Sequence, residues 1–127
     1  MIYTVTLNPS IDYVISLDEM QVGLVNRLKS ASKFPGGKGI NVSRILNELD
    51  VENTALGFLG GFTGQFVADA LTELKVHSDF VGIKEDTRIN VKIHAQQETE
   101  LNALGPNIDD EELSQFMAKF DQVGAGD

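Results

Sequence analysis

The sequence predicts an α/β fold, and three observations carry that prediction. Apolar residues recur at helical spacing in three places, strand-like runs lie between them, and the two kinds of segment alternate along the chain. Val42, Ile45, Leu46 and Leu49 stand at i, i+3, i+4 and i+7, as do Val67, Ala70, Leu71 and Leu74, and again Leu113, Phe116, Met117 and Phe120. Each set makes an apolar stripe along a helix, and each stripe is expected to face a core. The third helix also carries a start signal, with Asp109 as cap and Glu112 three residues on, the spacing of a capping box. Strand-like runs cover 2–7, 11–16, 54–59 and 88–95. In the last run Ile89, Val91, Ile93 and Ala95 alternate with Arg88, Asn90, Lys92 and His94, which predicts one apolar face and one wet, polar face. Strand-helix-strand parts imply right-handed crossovers. Residues 21–34 and 85–103 read as a flanking antiparallel piece outside the central sheet.

Composition bounds the function. The chain of 127 residues, 42% of them apolar, suits one modest domain. Its apolar runs fall short of the ~20 residues a bilayer span needs, so no membrane partner is expected. Met1-Ile2-Tyr3 opens no basic and apolar leader. The lack of cysteine excludes a disulfide framework, a thiol nucleophile and any Cys-ligated metal. Together these features point to a cytoplasmic address. The net charge of −9 is uneven: residues 1–64 hold six acids against five bases, residues 65–127 thirteen against five. Acidic surfaces repel phosphate backbones, which argues against a nucleic-acid partner. The near-neutral first half is the better seat for an anionic ligand.

The densest glycine stretch, Phe34-Pro35-Gly36-Gly37-Lys38-Gly39-Ile40-Asn41, leads directly into the first helix. Glycines let backbone approach a ligand, a helix N-terminus adds a positive dipole end, and Lys38 adds a full charge. Phosphate or a polyhydroxy ligand would suit that seat; a tight strand-to-helix turn with a solvated lysine would use the same residues. Asn8-Pro9-Ser10-Ile11-Asp12 follows the first strand, where open α/β sheets bind ligands and where an acid could accept sugar hydroxyls. Taken alone, the stretch reads better as an ordinary Asx or β-turn. Arg88 is the natural bidentate partner for a phosphate, with Asn90 beside it on the polar face; taken as an isolated pair, an ordinary solvated strand face is the better reading. His77 and His94 lack partners at ligand spacing, and the acids Asp109 to Glu112 fit a helix start. No metal ligand is assigned. Gly124-Ala125-Gly126-Asp127 is a glycine-rich tetrapeptide ending in a carboxylate, either an N–H cradle beside a general base or a tail.

Taken together, these stretches resemble the sugar-kinase family named after phosphofructokinase B, within the ribokinase-like fold. Thr4-Val5-Thr6-Leu7-Asn8-Pro9-Ser10-Ile11-Asp12 resembles the opening strand and substrate aspartate of its 1-phosphofructokinase and tagatose-6-phosphate kinase branch. Gly36-Gly37-Lys38-Gly39-Ile40-Asn41-Val42-Ser43, with Gly60 downstream, resembles the family's first signature, and Asp50 departs from it where Gly or Ser is usual. Thr87-Arg88-Ile89-Asn90-Val91 and Thr99-Glu100-Leu101-Asn102 resemble lid-side strands. Gly124-Ala125-Gly126-Asp127 resembles the start of the second signature, with Gly124, Ala125 and Gly126 as anion hole and Asp127 as catalytic base.

The resemblance implies a three-layer αβα core with a flanking β-sheet lid, present only as its N-terminal half. Residues 1–123 are then one part of a single domain, with lid strands near 11–34 and 85–103, and 124–127 a displaced fragment of the anion-hole motif. It also implies ATP-dependent phosphorylation of a phosphorylated ketohexose, with magnesium. Asp12, Gly36, Gly37, Lys38 and Asn41 would hold the sugar, and Arg88 and Asn90 would reach its phosphate. The family's long segment before the second signature, most of its nucleotide pocket and its Asn-x-x-Glu magnesium motif are missing here. A homodimer through the lid is a further expectation.

Overall fold

The structure is a computed structural model that describes residues 1–127. The first strand, β1 (Ile2–Thr6), is followed by β2 (Ser10–Ser16) and β3 (Ser30–Gly36), then helix α1 (Lys38–Glu48). Strand β4 (Asn53–Gly60) and helix α2 (Gly61–Glu73) come next, then β5 (Val81–Ile83), β6 (Arg88–His94) and β7 (Glu98–Leu101), and last helix α3 (Asp110–Phe120). These form two sheets. A parallel core sheet runs β1-β4-β5, and a second sheet, the lid, runs β3-β2-β6-β7.

β4 is buried along its whole length, and its apolar stretch from Ala55 to Leu59 suits a central parallel strand. One face of the core sheet packs Ala55 and Leu59 against Ile40, Val67 and Leu71 of α1 and α2. The other packs Leu56, Phe58, Val81 and Ile83 against Phe116 of α3. This is the expected three-layer core. α3 begins on the predicted capping box: the Glu112 N–H donates to Asp109 at 2.8 Å and the Asp109 N–H donates back to Glu112 at 3.0 Å.

Four expectations change. The flanking piece is mixed rather than antiparallel, because β2 pairs with β6 in parallel while β3 and β7 pair antiparallel at the edges. β5 is a three-residue strand whose central Gly82 gave no alternation to read. The α1 stripe does not face the core, since Ile40 and Ser43 are buried while Val42, Ile45 and Leu49 are exposed, and of the α3 stripe only Phe116 is buried while Leu113, Met117 and Phe120 are exposed. The sheet meets the side of α1 that carries Ile40 and Ser43, and of the α1 stripe only Leu46 is half-buried. Finally, the wet face of β6 is partly reversed. Asn90 is buried under the chain around Ala103, while Ile89 on the apolar face is exposed.

The chain passes between the two sheets or between lid and core helix four times. The crossings are Leu7–Pro9, Gly37, Lys84–Thr87 and Asn102–Asp109. They gather the candidate residues at one seam.

Candidate functional site

β1 runs parallel to β4 and ends at Thr6, so the chain that leaves it stands at the carboxyl edge of the core sheet. Asp12 lies just beyond, in β2, and in register it sits between Phe34 of β3 and Asn90 of β6. The Ser10 hydroxyl donates to Asp12 Oδ1 at 2.7 Å, and Lys92 Nζ lies 3.8 Å from Asp12 Oδ2. Lys92 also lies 3.6 Å from Glu100. The aspartate is therefore held in one orientation while its carboxylate remains partly open.

Gly36 is required by this arrangement. A Cβ at that position would stand 2.5 Å from Asp12 Oδ2 and 2.6 Å from Ser10 Oγ. Gly37 follows with φ +134° and caps α1, and only glycine adopts that backbone freely. No side chain caps α1, and its first turn holds no acid. The leading N–H groups of the helix, with exposed Lys38 at its first position, therefore form a positive helix end beside Asp12. Asn41 is exposed one turn on, its N–H donating to the Gly37 carbonyl at 2.9 Å. Gly39 lets the helix press on β1: a Cβ there would collide with Thr6 Oγ1 and stand 2.6 Å from the Val5 carbonyl.

Arg88 opens β6 at the same edge, opposite Ser10. Its guanidinium donates to the Asn8 carbonyl at 3.1 Å and the Ala103 carbonyl at 3.2 Å, so it ties two crossings together. A guanidinium has five N–H donors, so a ligand phosphate can still be met, and buried Nε has no partner in the fold. Asn90 does different work. Its Oδ1 accepts the Ala103 N–H at 3.0 Å, which clamps the 102–105 segment from the other side.

Gly124 to Asp127 lie elsewhere. They form a turn after α3 in which the Gly124 N–H donates to the Asp127 carboxylate at 2.8 Å. That N–H first, and the amino group of Met1 second, hold the Asp127 carboxyl below the usual carboxylate range. Met1 Nα is 3.3 Å from Asp127. Met1 precedes β1, so Asp127 stands at the opposite end of that strand from Asp12. The structure thus brings together Asp12, Gly36, Gly37, Lys38 and Arg88, and sets Gly124, Ala125, Gly126 and Asp127 apart. Two residues of the cluster, Ser10 and Lys92, were not singled out as site residues in the sequence. Their signal was the two-residue alternation that puts Ser10 with Asp12, and Lys92 with Arg88 and Asn90, on one face.

No three or more acidic or histidine side chains converge anywhere in these 127 residues. They do not fit a magnesium site.

Comparison with known proteins gives the family. The model of the pfkB family carbohydrate kinases matches residues 5–127. A 1-phosphofructokinase of Bacillus subtilis (strain 168) is 49% identical over all of this chain and 42% of its own. A D-tagatose-1-phosphate kinase of Bacillus licheniformis is 39% identical over 99% of this chain and 41% of its own. The crystal structure of Escherichia coli phosphofructokinase-2 in complex with fructose-6-phosphate superposes with TM-score 0.92 at 28% identity, over 98% of this chain and 42% of that one. The chain spans about two-fifths of the length of the relatives it matches. With a family match over nearly its whole length, the chain belongs to the pfkB family of carbohydrate kinases.

Proposed function

We propose that this chain is the sugar-phosphate-binding part of a 1-phosphofructokinase, which transfers a phosphoryl group from ATP to fructose 1-phosphate to give fructose 1,6-bisphosphate. The observation that carries the reading is the convergence of Asp12, the Gly36–Lys38 turn at an uncapped helix end, and Arg88. Asp12 accepts sugar hydroxyls. Lys38 and the α1 N–H groups attract the anionic ligand, and Arg88 takes the phosphate. The relative of Bacillus licheniformis favours a second reading, a tagatose phosphate kinase, which needs the same groups.

Transfer also needs a base for the sugar hydroxyl, and phosphoryl transfer otherwise rests on positioning and electrostatics. Asp127 is our candidate, with the N–H groups of Gly124, Ala125 and Gly126 as the anion hole. For that role the tetrapeptide has to leave Met1 and reach the other end of β1. ATP, with magnesium, would be held mainly by the parts of the relatives' length that these residues do not span.

A homodimer through the lid is the assembly we propose. Between the apolar face of the lid and α2 lies a groove of about 390 Å³ lined by Ile11, Tyr13, Lys33 and Ile89 of the lid and Phe62 and Phe66 of α2, and Phe62 is 76% exposed. Titration calorimetry on the 127-residue chain tests the reading. Fructose 1-phosphate should bind, unphosphorylated fructose far more weakly, and ATP not measurably. Equal affinity for both sugars would remove Arg88 as phosphate reader.

A further inference from the structure

The polar column between β1 and α1 ends on an unpaired hydroxyl. Thr4 and Thr6 are two residues apart in a strand and face the same side. Gly39 and Ser43 are four apart in α1 and also share a side. Thr4 therefore meets Ser43, and their hydroxyls hydrogen-bond at 2.6 Å. Thr6 meets Gly39, which has no side chain to answer it. Thr6 is 6% exposed, and its buried Oγ1 has no hydrogen-bond partner. An unpaired buried hydroxyl is destabilising, so its presence calls for a reason. Its position suggests one. Thr6 is the last residue of β1, its Oγ1 lies against Gly39, and its Cγ2 lies where a Cβ of Gly37 would stand, 2.5 Å away. It is the floor of the glycine turn.

We infer that Thr6 is a positioning residue for the sugar-phosphate site, its hydroxyl held without a partner under the first turn of α1 until ligand binding re-seats the Gly36–Gly39 turn and gives it one. The inference rests on the sugar-phosphate reading above. Its methyl group sets the height of the turn in the free protein, and its hydroxyl contributes only in the bound state. Stability and affinity should then separate, in opposite senses, between two variants.

Thr6→Val keeps the shape and removes the hydroxyl. It should melt no lower than the wild type, yet bind fructose 1-phosphate about 3- to 10-fold more weakly, the size of one neutral hydrogen bond. Thr6→Ser keeps the hydroxyl and removes the methyl contact with Gly37. It should melt lower and bind within about 2-fold of wild type. Calorimetric titration and thermal unfolding of both variants in the 127-residue chain supply the readouts. A purely structural Thr6 makes affinity follow melting temperature in both variants, and that result overturns the inference. So does unchanged affinity in Thr6→Val. A wild-type chain that takes up no fructose 1-phosphate overturns instead the sugar-phosphate reading on which this one stands.

Discussion

Asp12 shows what a single side chain needs here to be useful. Ser10 fixes its orientation, Lys92 keeps it company at 3.8 Å, and the missing side chain of Gly36 leaves room for it. Gly36→Ala would push a Cβ into the carboxylate. It should reduce fructose 1-phosphate affinity by about 10-fold or more, on the scale of one charge-assisted contact, in a titration against wild type. Arg88→Ala removes a charge-assisted phosphate contact worth roughly 1.5–3 kcal/mol, and also the ties to Asn8 and Ala103. It should therefore lower both affinity and melting temperature, whereas Lys38→Ala, at an exposed position without a contact in the fold, should lower affinity alone. For Asp127→Asn, the 127-residue chain should bind sugar phosphate as before. In a kinase of its relatives' full length, turnover should fall about 10²–10⁴-fold if Asp127 is the base. Turnover unchanged in that assay removes it from the mechanism.

At the level of elements, α3 depends on its first turn. Glu112 is buried and accepts two backbone N–H groups, those of Lys84 at 2.8 Å and Asp109 at 3.0 Å. Glu112→Ala leaves both unanswered and should cost about 1–3 kcal/mol in urea unfolding. Asp109 adds a dependence on pH. The hydrogen bond from Lys84, before that from the Glu112 N–H, holds its carboxyl below the ordinary 3.8. A lowered carboxyl stabilises the fold above its unfolded pKa, and this contribution is lost as pH falls through the folded value. Stability should therefore decline below about pH 3.8, and Asp109→Asn should flatten that part of the profile because the amide still caps but no longer titrates. Lys84 is raised above 10.5 by the same pair, so its share disappears only on the alkaline side.

How much of this was legible follows from range in sequence. The capping box, the glycine turn and Asp12 were readable because each is set by neighbours within a few residues. Asn90's clamp on Ala103 and Arg88's bond to Asn8 join positions 13 and 80 residues apart. Nothing local announces such bonds, so Asn90 read as a ligand-facing residue. The α1 stripe misled for another reason. Periodicity tells which side of a helix is apolar, not whether anything lies against it, and here β1 takes the side with Ile40 and Ser43.

For the molecule as a whole, that misreading has a consequence. Val42, Ile45 and Leu49 are 49%, 57% and 66% exposed, and β1 pairs on one edge only. Exposed apolar stripes beside an open strand edge favour association. The 127-residue chain should sediment as concentration-dependent oligomers, and Ile45→Lys should shift it toward smaller species without lowering its melting temperature. Oligomers of unchanged size in Ile45→Lys would assign the association to another face, with the lid groove next to test through Phe62→Lys.

The four crossings between sheets and helix carry one more implication. Asn8, Gly37, Arg88 and Ala103 each lie in or beside a different crossing, and Arg88 already fastens two of them. A ligand seated on these residues is thus a splint across a joint. Its occupancy and the angle between the two sheets become a single mechanical variable, so a force or partner that bends the lid would change affinity, and the proposed sugar-phosphate ligand, by binding, would stiffen the joint.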